Sequence, residues 1–245
     1  KTPTLTLMFS TTKQITKQNQ YKLISASNIH VSETGTNFVV TSYDENFHFH
    51  TKLLGKQNVQ NILATLIAGK YLGIDWITMI ESVSKLPYVK HRLEIINGAN
   101  DTLIIDDSYN ANPDSVKAAL AVLREIDAPR KIVITPGLVE LGDEQKNENE
   151  LFGEKIAEVA DYLIIVGKTN KDALSNGFLK KSQVRHSGDP PKPETPESDS
   201  GQARMTKENS LIIASNLNEA TQKLQQIVIP KSVILFENDL PDQYL

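Results

Sequence analysis

From residue 93 onward the chain repeats one pattern: a short apolar run, then a longer segment with apolar residues at helical spacing. The runs predict strands at Leu93–Ile96, Thr102–Asp106, Lys131–Thr135, Tyr162–Val166, Leu211–Ala214 and Ser232–Phe236. Between and after them, helices are expected at Asp114–Ile126, Glu144–Ala160, Asn170–Asn176 and Leu217–Ile227. Runs of Ile, Val and Leu without polar alternation suit strands buried on both faces. Alternating units of this kind imply an α/β fold: a Rossmann-like, mainly parallel sheet with helices on both sides.

The chain before residue 88 reads differently. Short β-like runs occur at Thr4–Phe9, Lys22–Val31, Asn37–Ser42 and Asn46–Leu54, with a hairpin turn at Glu33-Thr34-Gly35-Thr36. A helix is expected over Val59–Leu72, with Ile62, Leu63, Leu66, Ile67 and Tyr71 on one face and Gly73 as its stop. A second helix should run from Asp75 to about Leu86, where Pro87 ends it. A boundary near Pro87–Lys90 divides the chain into residues 1–88 and 89–245. Its 245 residues suffice for two ordinary domains. The Pro-, Ser- and Asp-rich stretch at about 187–209 buries little apolar surface and is expected to be a disordered loop inside the second domain.

Composition removes several classes. With a net charge of -4 and no basic block, nucleic acid is not the expected partner. The absence of cysteine excludes a disulfide scaffold, a thiolate metal site and a Cys nucleophile, and fits a reducing compartment such as the cytoplasm. No apolar run is long enough to span a bilayer. The opening Lys1-Thr2-Pro3-Thr4 is neither a signal peptide nor an initiator Met, so the chain is expected to come from the middle of a longer protein.

Chemistry concentrates in Ile104-Ile105-Asp106-Asp107-Ser108-Tyr109-Asn110-Ala111-Asn112-Pro113-Asp114-Ser115. It reads as a strand that delivers acids and amides at its carboxyl end, where open α/β sheets bind ligands. A helix cap accounts for one such residue, not for two adjacent acids and two spaced amides. Asp106 and Asp107 suit Mg²⁺, a proton or a ribose hydroxyl. Tyr109 is either a half-buried ring or a ligand contact. Asn58 and Asn61 lie one helical turn apart; they are either a cap and a solvated amide, or a pair reading an adenine edge. Lys90-His91-Arg92 is either a solvated basic turn or a phosphate grip through Arg92. His48 and His50 share one strand face without an evident third metal ligand, so no metal site is expected.

The stretch D-D-S-Y-N-A-N-P-x-S resembles the signature of the Mur ligase family. Ala26-Ser27-Asn28-Ile29-His30-Val31, Leu54-Gly55-Lys56-Gln57-Asn58-Val59-Gln60-Asn61 and Val139-Glu140-Leu141-Gly142 follow in the family's order, so the resemblance runs from about Lys22 to Gly167. It implies the end of a central ATP-binding domain (1–88) followed by a Rossmann-like ligase domain (89–245). It also implies an ATP-dependent amide ligase of peptidoglycan precursor synthesis that joins D-alanyl-D-alanine to a UDP-muramoyl peptide through an acyl phosphate. By the same resemblance Asn58, Asn61, Arg92 and Asp107 contact ATP, while Tyr109, Asn110, Asn112 and Glu140 border the acceptor substrate. The alternatives are a non-catalytic nucleotide-binding relic and a folylpolyglutamate- or cyanophycin-type ligase of the same superfamily.

The chain also departs from the family. Gln57 replaces a usual His, Pro136-Gly137-Leu138 replaces G-D-M, Asn149 replaces a His, and Glu237-Asn238-Asp239 stands where a basic K-G-S-R-like element is expected. No G-x-x-x-x-G-K-[ST] phosphate cradle occurs. The cradle and the Mg²⁺ ligands are therefore expected upstream of Lys1, and the chain by itself is expected to be an inactive, monomeric portion of the ligase.

Overall fold

The computed structural model describes residues 8–10, 23–43, 45–187 and 210–238. The loop expected over about 187–209 thus lies outside the described residues except for Ser187, as does most of the run Thr4–Phe9. No helix among the described residues is long and apolar enough to cross a membrane.

The amino-terminal part builds a four-stranded sheet in sequence order from β1 (Met8–Ser10), β2 (Leu23–Ser32), β3 (Gly35–Ser42) and β4 (Glu45–Thr51). β1 runs parallel to β2, whereas β2, β3 and β4 are antiparallel. Alternation sends Phe38, Val40 and Phe49 inward, where α1 (Lys56–Tyr71) and α2 (Trp76–Ser84) cover them with Ile62, Leu63, Leu66, Met79 and Val83. Trp76 seals this layer by stacking on Phe47 at 4.3 Å between ring centroids. His48 takes the opposite, exposed face, and on that face His50 meets the Asn37 amide at 3.1 Å.

Beyond residue 93 a six-stranded sheet forms from β5 (Glu94–Asn97), β6 (Leu103–Asp107), β7 (Lys131–Thr135), β8 (Tyr162–Val166), β9 (Ser210–Ala214) and β10 (Val233–Glu237). Their order is β5-β6-β10-β7-β8-β9, with β5 antiparallel at the edge and every other pair parallel. α3 (Pro113–Glu125), α4 (Gln145–Val159) and α5 (Lys171–Ser187) cover one face, with Leu120, Leu123, Phe152, Ile156, Leu174 and Phe178 in its core. α6 (Leu217–Ile227) covers the other, where Ala220 meets Ile132, Ile164 and Ile234. β10 returns from the far edge, by way of α6 on the opposite face, to enter between β6 and β7, so the carboxyl ends of β6, β10 and β7 lie side by side. Open α/β sheets form their ligand crevice beyond the carboxyl ends of the strands.

α5 is longer than its sequence suggests. The sequence predicts a helix over Asn170–Asn176, whereas the helix runs from Lys171 to Ser187. Gly177, just past the expected end, is a packing residue inside the helix. A Cβ there would collide with the Glu150 carbonyl of α4, and one at Gly153 of α4 would collide with the Leu174 carbonyl of α5. The two glycines let the helix backbones touch, which outweighs their intrinsic cost in a helix.

Apolar contacts and a hydrogen bond join the two sheets among the described residues. Val31 and Leu54 belong to the buried cluster around β6 and α3. The Val31 N–H donates to the Glu125 carboxylate at the end of α3, at 3.0 Å.

Candidate functional site

At the end of β6 the two acids separate by strand alternation. Asp107 follows Leu103 and Ile105 onto the face covered by α3, and is only 7% exposed. Its Oδ1 accepts from the Leu93 N–H at 3.1 Å, and its other oxygen accepts from no described residue. Burial pushes this carboxyl up to about 6; the Leu93 N–H and the nearby Arg92 oppose the shift, while Asp106 adds to it. Asp106 takes the opposite face. It accepts from Ser108 Oγ at 2.5 Å and lies 2.8 Å from His91 Nδ1.

The amide-rich turn after β6 serves both helix and site. Asn112 caps α3: its Oδ1 accepts from the N–H groups of Asp114 and Ser115 at 3.0 and 2.9 Å. Ser115 completes the capping box by accepting from the Asn112 N–H at 2.8 Å. That leaves the Asn112 Nδ2 for other partners. Asn110 receives two hydrogen bonds from Arg92, at 3.1 Å to its carbonyl and 2.9 Å to Oδ1. The Arg92 guanidinium also lies over the Tyr109 ring, 4.6 Å from its centroid. Arg92, Tyr109 and Asn110 thus form one preorganised unit, with the Tyr109 ring 61% exposed beneath the cation.

A cleft of about 280 Å³ opens between the two sheets beside this unit. Leu53, Gln57 and Asn58 form its amino-terminal wall, Val89 of the connecting segment its floor, and Arg92, Leu93, Asp107, Ser115 and Ala118 the opposite wall. The Asn58 Nδ2 donates to the Leu54 carbonyl at 2.8 Å, and its Oδ1 receives no donor from a described residue. Gln57 donates to the same carbonyl at 3.3 Å. The cleft therefore offers an amide acceptor on one side and a carboxylate and guanidinium on the other. Those groups suit an amino-purine edge and a diol.

The structure brings Asn58, Arg92 and Asp107 into one cleft, with Tyr109, Asn110 and Asn112 beside it. It does not bring Asn61 there: that side chain is exposed outside the cleft lining. Glu140 is likewise exposed and outside the lining, on the loop after β7, with a left-handed φ of 61°. That loop is fixed from below. Asn149 accepts from the Leu138 N–H at 2.7 Å and donates to the Leu138 carbonyl at 2.8 Å, while Asn170 donates to the carbonyls of Pro136 and Leu138. A larger groove of about 1110 Å³ lies at the amino ends of β6 and β10, among Lys52, Tyr88, Asp101 and Lys231. The carboxyl-end rule makes the smaller cleft the stronger candidate.

Two residues of the site were not read as such from the sequence. Glu237 ends β10 in register with Asp107 on β6 and is fully buried, with no hydrogen-bond partner for either carboxylate oxygen among the described residues. Burial holds its carboxyl well above the ordinary range, the Asp107 charge adds to this, and Arg92 opposes it. Asn238 follows with φ 66° and ties three loops together. It accepts from the Ala111 N–H at 2.9 Å, donates through Nδ2 to the Gly137 carbonyl, and donates its N–H to the Asp107 carbonyl. The signal in the sequence was an acid and an amide closing the apolar run Val233–Phe236, as Asp106 and Asp107 close Leu103–Ile105.

Comparison with known proteins agrees with this architecture. Residues 91–237, more than half of the chain, match the family model described as Mur ligase, glutamate ligase domain, and residues 6–69 match the Mur ligase middle domain. UDP-N-acetylmuramoyl-tripeptide--D-alanyl-D-alanine ligase of Bacillus subtilis is 32% identical over 173 residues, covering 69% of this chain and 36% of that protein. The enzyme of the same name from Escherichia coli is 33% identical over 145 residues, covering 59% of this chain and 32% of that protein. The chain thus spans about a third of the length of these relatives. Among solved structures, MurF from Acinetobacter baumannii superposes with a TM-score of 0.66 at 24% identity, over 89% of this chain and 44% of that one. MurF ligase from Thermotoga maritima in complex with ADP gives a TM-score of 0.66 at 18% identity, over 89% of this chain and 45% of that one. These two likenesses are of fold. The family itself is fixed by the sequence models over both parts of the chain: this protein belongs to the Mur ligases.

Proposed function

We propose that this chain is the nucleotide-facing and acceptor-facing part of an ATP-dependent ligase that adds D-alanyl-D-alanine to a UDP-muramoyl peptide. The observation that carries the reading is the cleft in which Asn58 of one sheet faces Arg92 and Asp107 of the other. Family membership and the two D-alanyl-D-alanine-adding relatives support it. In this reading residues 1–88 complete a central ATP-binding domain and 89–245 form the ligase domain, the two working as a monomer in the cytoplasm.

The residues fit a nucleoside. The Asn58 Oδ1 accepts from the exocyclic amine of adenine. The second oxygen of Asp107 accepts from a ribose hydroxyl. Arg92 is held rigid by Asn110 and Tyr109 and offers its charge to phosphate oxygens. The cleft, near the lower end of the roughly 300–1000 Å³ usual for ligand pockets, accommodates base and sugar and leaves the phosphates to project out of it. Transfer of the terminal phosphoryl group to the peptide carboxylate gives an acyl phosphate. The acceptor amine attacks its carbonyl carbon, phosphate leaves, and an amide forms. Tyr109, Asn110, Asn112 and Glu140 then line the acceptor's approach, on loops fixed by Asn149, Asn170 and Asn238. Mg²⁺ supplies charge neutralisation at the phosphates. No group of three or more His, Asp or Glu among the described residues is placed to hold it, and the proposal gives it no ligand in this chain.

The test uses the longer protein that this reading implies. With ATP, Mg²⁺ and UDP-muramoyl tripeptide, phosphate release should depend on added D-alanyl-D-alanine, and the isolated chain should release none above background. Release that is indifferent to D-alanyl-D-alanine but stimulated by another amino acid or by glutamate would replace the acceptor. Turnover by the isolated chain would contradict the division of labour.

A further inference from the structure

The buried pair at the ends of β6 and β10 is an unusual arrangement. In parallel register, Glu237 and Asp107 project from the same face of the sheet. Only Asp107 lines the cleft; Glu237 lies behind it with no exposed surface. Their surroundings differ in one decisive respect. Asp107 accepts an N–H from Leu93 and has Arg92 close by, both of which favour a charged carboxylate. Glu237 accepts nothing from a described residue. The charges that reach it are those of Asp107 and Arg92. The helices over this face contribute an apolar core that includes Val116, Leu120 and Phe152. A buried carboxylate with no donor costs far more than the same group buried as a neutral acid.

We infer that the pair retains one proton, that Glu237 holds it as a neutral carboxylic acid, and that Glu237 thereby acts as a positioning residue that lets Asp107 alone carry charge into the cleft. The environments of two adjacent acids push their ionisations apart, as in other carboxyl pairs with divided roles. With Glu237 neutral, Asp107 is the acid that meets Arg92 at the cleft, Asp106 lying on the opposite face of the strand, and the second oxygen of Asp107 is free to accept from a hydroxyl. An ionised Glu237 would set two negative charges side by side beneath one guanidinium. The link to ribose rests on the proposed function above; the protonation states do not.

The experiment therefore uses this chain without nucleotide. The Leu93 amide, which donates to Asp107, reports that carboxyl's ionisation in a ¹H–¹⁵N spectrum, and ¹³C-labelled glutamate side chains report Glu237. The Leu93 signal should titrate with a midpoint of about 6. The Glu237 carboxyl, identified by its loss in Glu237→Gln, should keep a protonated shift through that step. Because the partner is already neutral, Glu237→Gln should leave the Leu93 midpoint within about 0.3 pH unit of wild type. In Asp107→Asn, Glu237 should begin to ionise at lower pH than in wild type, having lost the neighbouring charge. A Glu237 signal already ionised when Leu93 titrates would overturn the proposal. So would a fall of a full unit or more in the Leu93 midpoint on Glu237→Gln, because removing a charged neighbour does that and removing a neutral one does not. Failure here leaves the nucleotide assignment standing; loss of that assignment is read separately, from ATP dependence in the longer protein.

Discussion

At the scale of single residues, burial decides more than residue type. Asp106 and Asp107 are neighbours in sequence, yet one bonds Ser108 beside His91 and the other is buried at the cleft. Strand alternation makes that difference, and it was implicit in the run Leu103–Asp107. The sequence could not show that Glu237, 130 residues further on, would lie against Asp107 in the sheet. That contact depends on β10 entering between β6 and β7 after the seven described α-helices and strands from α3 to α6 have been placed. The same holds for Asn238, whose amide bridges loops that are distant in the chain.

Asp107 also gives a stability prediction with a definite sign. Its carboxyl rises from 3.8 to about 6 on folding, so between those values the folded chain keeps a proton that the unfolded chain has released. Stability from this group is greatest below about pH 4 and falls as pH rises to about 6, by roughly 3 kcal/mol at 1.36 kcal/mol per unit. Other groups titrate in that range, so the quantity to measure is the difference between wild type and Asp107→Asn in urea unfolding at pH 4 and pH 6.5. The variant should gain relative to wild type by about 2 kcal/mol at the higher pH, because at pH 4 the unfolded carboxyl is already more than half ionised. A difference that is flat with pH would show that Asp107 titrates normally.

At the scale of elements, the apolar runs made nearly every strand and helix legible, because runs of Ile, Val and Leu bounded by turn residues leave few alternatives. Lys131–Thr135, Tyr162–Val166 and Leu217–Ile227 fall where periodicity puts them. α5 does not, because Gly177 signals either a stop or a close approach, and only tertiary packing distinguishes the two. Gly177→Ala should destabilise the chain by about 1–3 kcal/mol through the clash with the Glu150 carbonyl, whereas a helix-propensity argument alone predicts stabilisation. Thermal unfolding of the variant decides between the two signs. Asn112→Ala should cost about 1 kcal/mol by removing the cap of α3, and unchanged stability would mean that Ser115 holds the helix start unaided.

At the scale of the whole molecule, the proposed site depends on two sheets meeting correctly. Neither Asn58 nor the pair Arg92 and Asp107 makes a site alone, and the connecting segment through Val89 places them across one cleft. The contacts of Val31 with Glu125 and of Leu54 with the core around β6 hold that arrangement. Motif order along the chain made the partners legible; their separation and the width of the cleft were not, because these depend on packing between distant segments. The most direct measurement is the ATP dependence of ligation by the longer protein carrying Arg92→Ala or Asp107→Asn. One charge-assisted hydrogen bond contributes about 1.5–3 kcal/mol, so each variant should bind ATP roughly tenfold to a hundredfold more weakly while remaining folded. Wild-type ATP dependence and turnover in both folded variants would contradict the account and return Asp107 and Arg92 to the role of stabilising the turn after β6.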